Sequence, residues 1–148
     1  MSKAIHPLAG ALALLMIMTF WLSTVTSLAF GSTAAIVAVK TAIPWGFIIL
    51  IPAIVAAAGS GMALSKGRPG GLAEVKRKRM PLIAANGVLI LIPAALFLAA
   101  KARAGEFDAA YDGVQAVELI AGALNIALLG LNMRDGLRMS GRLANRTA

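Results

Sequence analysis

Four polar residues within one apolar stretch of the chain have the spacing of a single helix face. They are Gln115, Glu118, Asn125 and Asn132, separated by three, seven and seven residues. These intervals return a side chain to the same side of an α-helix. Polar side chains that face lipid cost free energy, so this polar seam is predicted to point toward other helices or a cavity. It would serve either as hydrogen-bonding contact between helices or as a polar pocket or proton route.

Glu118 is the only acidic residue inside a predicted membrane span, which makes it a functional candidate. Lys40 is the basic residue predicted at a comparable depth in an earlier span. Burying either charge alone would be costly, because neither would have a compensating partner. We therefore predict a Lys40–Glu118 ion pair, direct or bridged by water.

Three residues could hold a haem iron or another metal, namely His6, Met80 and Met133. Histidine and methionine are a known axial pair for haem iron. The spans place all three toward one membrane side, where Asn86 would contribute to an inner polar pocket. A histidine that only forms hydrogen bonds, with methionines that only pack, is the structural alternative. Haem b is thus one cofactor hypothesis, with His6 as the iron ligand.

The remaining composition excludes most other site chemistry. The chain has no cysteine, so disulfides, thiolate zinc sites and iron–sulfur clusters lack their ligands. Its single histidine disfavours a Ser-His-Asp hydrolase. No nucleotide-binding loop, dinucleotide fingerprint, metalloprotease helix or kinase signature is present in the sequence. Non-enzymatic functions are therefore favoured.

The elements that position these residues are predicted to be membrane helices. Hydrophobic residues make up 59% of the 148 residues and charged residues 14%, against about 45–50% and about 25% in soluble domains. A bilayer-crossing helix needs about 20 mostly apolar residues, and four runs qualify. They predict an all-α integral membrane protein in which four transmembrane helices form an antiparallel bundle. The whole chain, 1–148, is predicted to be a single membrane domain. The spans are about 7–30, 33–64, 81–100 and 113–133, with a basic loop at 65–80 and a basic tail at 134–148.

The distribution of Lys and Arg predicts the orientation of the bundle. With the N-terminus inside, eleven of these residues lie on the cytoplasmic side and only Lys40, Lys101 and Arg103 lie outside. Such a bias indicates that both termini are cytoplasmic, in a membrane of the bacterial inner-membrane type.

The basic segments beside the spans predict contact with anionic phospholipids or with an acidic partner protein. Because these charges flank apolar runs, the net charge of +8 does not indicate nucleic-acid binding. The predicted contact residues are Lys76, Arg77, Lys78, Arg79, Arg134, Arg138, Arg142 and Arg146.

Three functions are compatible with these features. The leading hypothesis is a non-enzymatic homo-oligomer or accessory subunit of a larger membrane complex, because Ala53, Ala57 and Gly61 form a small-residue face suited to close helix packing. The second is a b-type haem protein that transfers electrons through His6. The third is a small transporter or channel, because segments 46–53 and 87–94 match at six of eight positions and resemble an inverted repeat. Biased composition is the alternative explanation of that match.

Overall fold

The computed structural model describes residues 2–65 and 71–139, and in these ranges the chain is helical without a strand. Its helices are α1 (Ser2–Phe30), α2 (Thr33–Ser65), α3 (Gly71–Asn86), α4 (Ile92–Ala104) and α5 (Ala109–Met139). A π-helical turn, Gly87–Leu91, joins α3 directly to α4. We call the continuous rod from α3 to α4 the third span.

Four helical segments are long and apolar enough to cross a membrane. They are Ile5–Phe30, Thr33–Ala63, Lys78–Ala104 and Ala109–Arg138. Each has between 26 and 31 residues, or about 39–46 Å at 1.5 Å per residue, against a hydrocarbon core of roughly 30 Å. The four-helix part of the prediction is confirmed, and these segments suggest a membrane location.

The helices extend beyond the predicted spans at their charged ends. The third span begins at Gly71, so residues 71–80, predicted as part of the basic loop, are helical. Helix α5 continues to Met139, into the predicted basic tail. Hydropathy identifies only the apolar part of a helix. The helix itself can extend further, because its backbone hydrogen bonds also form in polar segments. The rest of that loop and tail, 66–70 and 140–148, lies outside the described residues.

The spans form a ring in which each packs against two neighbours. Helix α1 packs on α2 and α5, and the third span packs on α2 and α5. Neighbours run antiparallel: His6 of α1 contacts Ala57 late in α2, whereas Thr24 of α1 contacts Lys40 early in α2. The ring encloses the interior that the polar seam faces.

Two apolar clusters hold the ring together. The first joins α1 to α2 through Ala13, Ile17, Leu50 and Ala53. The second joins α4 to α5 through Leu98, Ala102 and Tyr111. The alanines of these clusters, Ala13, Ala53 and Ala102, allow the helix backbones to approach closely.

The small-residue face of α2 is occupied by α1 of the same chain. Ala53 and Ala57 are buried, and a Cβ added at Gly61 would lie 3.0 Å from Cε1 of His6. The face that suggested association between protomers is therefore used inside the bundle.

Pro93 accounts for the π-helical turn in the third span. In a regular α-helix its ring would clash with the carbonyl of Leu89, four residues earlier. The wider turn relieves this clash, and the Ile92 N–H donates to the carbonyl of Gly87 instead. The matching segment 46–53 stays α-helical around Pro52, so the two similar sequences have different backbones.

The connections at 31–32 and 105–108 define what we call the loop end of the bundle. Gly105 ends α4 in the left-handed conformation, with φ of +72°. Its N–H donates to the carbonyl of Ala102 at 3.1 Å, and the Glu106 N–H donates to that of Lys101 at 3.0 Å. These bonds satisfy carbonyls that the end of a helix leaves unpaired.

Asp108 caps the start of α5. Its Oδ2 accepts a bond of 2.7 Å from the Lys101 ammonium, and its Oδ1 accepts one of 2.9 Å from the Tyr111 N–H. These donors lower the pKa of the Asp108 carboxyl below its usual value. Because the folded-state pKa is lowered, the capping contribution to stability is present above the unfolded-state pKa and is lost as the pH falls through the folded-state value.

Candidate functional site

The polar seam of α5 faces the bundle interior. Gln115, Asn125 and Asn132 are buried, and the side chain of Glu118 is only 12% exposed. Tyr111, which is also buried, precedes Gln115 by four residues on the same helix face, near the loop end. The α-helical spacing therefore aligns these groups along the interior from one end of the bundle toward the other.

Lys40 and Glu118 form an ion pair across the ring. The Lys40 side chain is 1% exposed, and its Nζ donates to Oε2 of Glu118. Nζ also lies 3.4 Å from Oγ1 of Thr24, while Nε2 of Gln115 donates to the same Glu118 oxygen at 3.0 Å. The pair neutralises two charges that would each be costly to bury alone. The Lys40 ammonium of α2 thereby contacts both α1 and α5.

Polar atoms beside this pair lack partners among the described residues. They are the hydroxyl of Tyr111 and Oε1 of Gln115, both on buried side chains. Both donors to Glu118 use Oε2, so neither of these bonds engages Oε1 of Glu118. The loop-end half of the seam thus has hydrogen-bonding capacity that is not used within this part of the chain.

Asn86 and Asn125 link the third span to α5 in the middle of the bundle. The Asn86 Nδ2 donates to Oδ1 of Asn125 at 2.9 Å and to the carbonyl of Ala121 at 2.8 Å. Asn125 is 1% exposed, and its Nδ2 lies 3.5 Å from the carbonyl of Ile83. These are hydrogen bonds between helices of the kind predicted for the seam.

The three haem-ligand candidates are held in different surroundings. The Nδ1 of His6 lies 2.9 Å from the carbonyl of Ala57, so α2 fixes the imidazole. The Met80 sulfur accepts from Nδ2 of Asn132 at 3.4 Å. Met133 is 43% exposed, so it faces away from the interior that Asn132 occupies. Among the described residues no group of three or more His, Cys, Asp or Glu could hold a metal ion.

Basic residues meet a buried carboxylate at the opposite end of the bundle, which we call the basic end. Asp135 is 1% exposed; its Oδ2 accepts from Arg79 at 2.7 Å, and its Oδ1 lies 3.5 Å from Arg134. Arg79, which is predicted to contact lipid, therefore pairs with a buried carboxylate of its own chain. Lys78 pairs with Glu74 at 3.1 Å on the exposed surface.

The other predicted lipid-contact residues lie on the helix surface or beyond the described part. Arg138 is exposed near the end of α5. Lys76 and Arg77 belong to α3, although their side chains are not among those described, and Arg142 and Arg146 fall outside the described residues.

Thr24 and Asp135 are buried polar residues that the spacing argument does not reach. Asp135 follows Asn132 by three residues and so extends the same helix face. This spacing could have identified Asp135 as a continuation of the polar seam. Thr24 has one polar neighbour on its face, Ser27, which is also buried and whose Oγ donates to the Thr24 carbonyl at 2.9 Å. A single pair is too short a pattern to predict a polar face.

A cavity of about 430 Å³ lies between the four spans. All four contribute apolar wall residues, among them Phe20 of α1, Phe47 of α2, Leu91 of the third span and Leu119 of α5. Trp21 also lines the cavity, and its indole N–H donates to the Leu119 carbonyl at 2.9 Å. The size and the apolar lining are those of pockets that bind small apolar molecules.

The cavity reaches the outer surface between α2 and the third span. Ile51, Val55 and Val88 line it and are 43%, 64% and 60% exposed. In a bilayer this surface would face acyl chains. The cavity therefore has a lateral opening toward the lipid-facing side.

Few polar groups line the cavity. Glu118 and Thr24 lie toward the loop end and Asn125 toward the middle of the bundle. Lys40 is not among the lining residues, and its 1% exposed side chain contacts Glu118 and Thr24. An occupant would therefore meet the carboxylate of the ion pair rather than its ammonium.

Comparison of the chain with protein-family models, curated proteins and solved structures found no match.

Proposed function

We propose that the chain is a non-enzymatic multi-pass membrane protein that binds a lipid-like molecule in the cavity between its four spans. The lateral opening between Ile51, Val55 and Val88 carries this proposal. A ligand dissolved in the bilayer would reach the cavity without crossing water. Burial of its apolar surface against the walls would supply the binding free energy.

The same geometry disfavours transport of a polar solute along the seam. Asn86 and Asn125 bond to each other, and Lys40 and Glu118 neutralise each other. A polar solute in this cavity would meet mostly apolar walls and would lose its hydrogen bonds to water. The transporter or channel alternative would require these pairs to separate.

We also propose an orientation and a membrane. The loop end faces outward, and the basic end and both termini face the cytoplasm of a bacterium, across its inner membrane. The eleven-to-three distribution of basic residues supports this orientation. At the basic end, exposed Lys78, Arg134 and Arg138 are positioned to contact anionic phospholipids.

The homo-oligomer or accessory-subunit hypothesis and the haem hypothesis stay predictions. The small-residue face that motivated association is covered by α1, so any partner would use another surface. Haem b would give the purified protein a Soret absorption band that disappears in His6→Ala. The surroundings of Met80 and Met133 do not favour a shared iron site with His6.

Trp21 provides a direct test of ligand binding, because it lines the cavity. The sequence has two tryptophans, and Trp45 is 70% exposed. A Trp45→Phe protein in phosphatidylcholine nanodiscs therefore reports on Trp21 alone. We expect a bromododecanol to quench this fluorescence strongly, since its bromine would enter the cavity beside the indole.

Two matched glycine substitutions distinguish the cavity from bulk lipid. Gly87 lines the cavity, and a Cβ there would only approach Nδ2 of Asn125, at 3.8 Å. Gly59 is exposed, with no atom within 4 Å of its added Cβ. Gly87→Leu should fill the cavity and weaken quenching several-fold, whereas Gly59→Leu should leave it unchanged. Equal quenching in both variants would contradict the proposal.

A further inference from the structure

We infer that the cavity selects a lipid-like alcohol, a long apolar molecule ending in a neutral hydroxyl, over an acyl carboxylate of the same length. This inference rests on the proposed function and specifies the ligand class of that same site. It depends on which atoms the loop-end half of the cavity offers to an occupant.

The charged group on the cavity wall is a hydrogen-bond acceptor. Glu118 lines the cavity and its side chain is 12% exposed, whereas Lys40 is 1% exposed and is not part of the lining. Lys40 and Gln115 both donate to Oε2 of Glu118. The Oε1 atom of the same carboxylate is therefore not used by these two donors.

A hydroxyl complements this acceptor and a carboxylate does not. An alcohol can donate its O–H to Oε1 of Glu118, and hydrogen bonds to a charged group are the stronger class. Two carboxylates at the same position would repel each other in a medium of low dielectric constant. The Lys40 ammonium offsets only part of that repulsion, because it already pairs with Glu118 and Lys40 is not among the residues that line the cavity.

The hydroxyl of Thr24 strengthens the selection. Thr24 is buried and lines the cavity, and its Oγ1 lies 3.4 Å from Nζ of Lys40. An oxygen that accepts from Lys40 leaves its own O–H free to donate to the oxygen of an alcohol. A bound hydroxyl would thus donate to Glu118 and accept from Thr24, which satisfies both of its hydrogen-bonding functions.

The test compares three probes of equal chain length on the Trp45→Phe protein in nanodiscs at pH 9, where a carboxylic acid is ionised. The probes are bromododecanol, bromododecanoate and bromododecane. We expect half-maximal quenching of Trp21 at about tenfold lower mole fraction for the alcohol than for the carboxylate. Bromododecane should be intermediate, because it gains no hydrogen bond and suffers no repulsion.

Substitutions at the ion pair should change the order of the probes. In Glu118→Gln the repulsion is removed and Lys40 loses its counter-ion, so the carboxylate should bind at least as well as the alcohol. Lys40→Met combined with Glu118→Leu replaces the pair by apolar groups and avoids an unpaired charge if the single variant does not fold. In this double variant the alcohol should lose most of its advantage over bromododecane, because the charged acceptor is gone, and the carboxylate should bind worst, because it loses its hydration without gaining a partner.

The outcomes separate the inference from the proposed function. If Gly87→Leu weakens quenching by all three probes but the carboxylate matches the alcohol in the protein with the intact pair, the cavity binds lipid-like molecules without the inferred selectivity. If no probe responds to Gly87→Leu, the proposed function fails together with the inference. An unchanged probe order in Glu118→Gln would also overturn the inference.

Discussion

At the scale of single residues, the seam consists of polar groups that bond across the bundle. Lys40 reaches Glu118 on another span, Asn86 reaches Asn125, and Arg79 reaches Asp135. Each bond replaces the water that a polar group loses in an apolar interior. The same groups therefore stabilise the bundle and determine the chemistry of the cavity wall.

The Lys40–Glu118 pair should behave as a coupled unit. Lys40→Met or Glu118→Gln alone should destabilise the protein by about 3–5 kcal/mol, because each leaves a buried charge without its partner. Making both substitutions together should cost much less than the sum. The measurement is unfolding in detergent for the two single variants and the double variant.

Lys78→Met is the control for removing a lysine charge. Lys78 is 76% exposed and pairs only with partly exposed Glu74 among the contacts described for it, so its loss should change stability little. Additive losses for Lys40→Met and Glu118→Gln would show that these two side chains do not interact.

The residues of the seam could be predicted because their intervals fit one helix face. The choice of Lys40 as the partner of Glu118 followed from comparing depths in two spans, and the structure joins the same two residues. That both donors to Glu118 use the same oxygen, Oε2, could not be predicted, because it depends on the rotation of α5 against α2. The internal pairing of Arg79 also depends on the helical extension of the third span below residue 81.

At the scale of elements, the helix ends depend on local backbone chemistry that hydropathy does not report. Gly105 adopts a left-handed conformation, and Asp108 accepts the Tyr111 N–H. These caps define a short connection between α4 and α5. The sequence predicts an apolar span from about 113, whereas the helix that contains it begins at Ala109.

Two glycine-to-alanine substitutions should have opposite effects on stability. Gly105→Ala should destabilise the protein by about 1–2 kcal/mol, because alanine is strained at this positive φ. Gly113→Ala lies inside α5 with no atom within 4 Å of the added Cβ, so it should stabilise by up to about 1 kcal/mol. Thermal unfolding of both variants in the same detergent tests the signs. A gain in stability for Gly105→Ala would contradict the assigned cap.

The π-helical turn illustrates why a sequence match does not guarantee a structural match. Segments 46–53 and 87–94 both carry a proline near the end, yet only the second contains a π-helical turn. The inverted-repeat hypothesis therefore has no support from the backbone of these two segments. Hydropathy and proline position could not distinguish them, because the packing of neighbouring helices decides how a proline clash is relieved.

At the scale of the whole molecule, the four-span architecture could be predicted from composition, whereas the cavity could not. Apart from the polar seam of α5, the spans are apolar around most of their circumference, so periodicity does not specify which of their side chains meet in the centre. The cavity is lined by all four spans, and its opening lies beside exposed Val55 of α2 and Val88 of the third span. Its position is a property of the assembled ring.

The proposed orientation can be tested by cysteine labelling, because the chain has no native cysteine. Ser32 is exposed at the loop end, and Lys78 is 76% exposed toward the basic end. A membrane-impermeant maleimide added to intact spheroplasts should label Ser32→Cys. It should label Lys78→Cys only after the membrane is permeabilised. The reverse pattern would invert the proposed orientation.

The Lys40–Glu118 pair also bears on the order in which the chain is inserted during synthesis. Of the four spans described, Lys40 belongs to the second in chain order and Glu118 to the fourth. Until the fourth span arrives, Lys40 lacks this carboxylate partner, at a cost below the roughly 2.5–3.5 kcal/mol of a lysine at the centre of a helix, because Lys40 lies near the start of α2. Insertion of α5 removes this cost. A chain truncated before α5 would keep Lys40 unpaired in the hairpin of α1 and α2, and we expect it to be less stable and more readily degraded by cellular proteases.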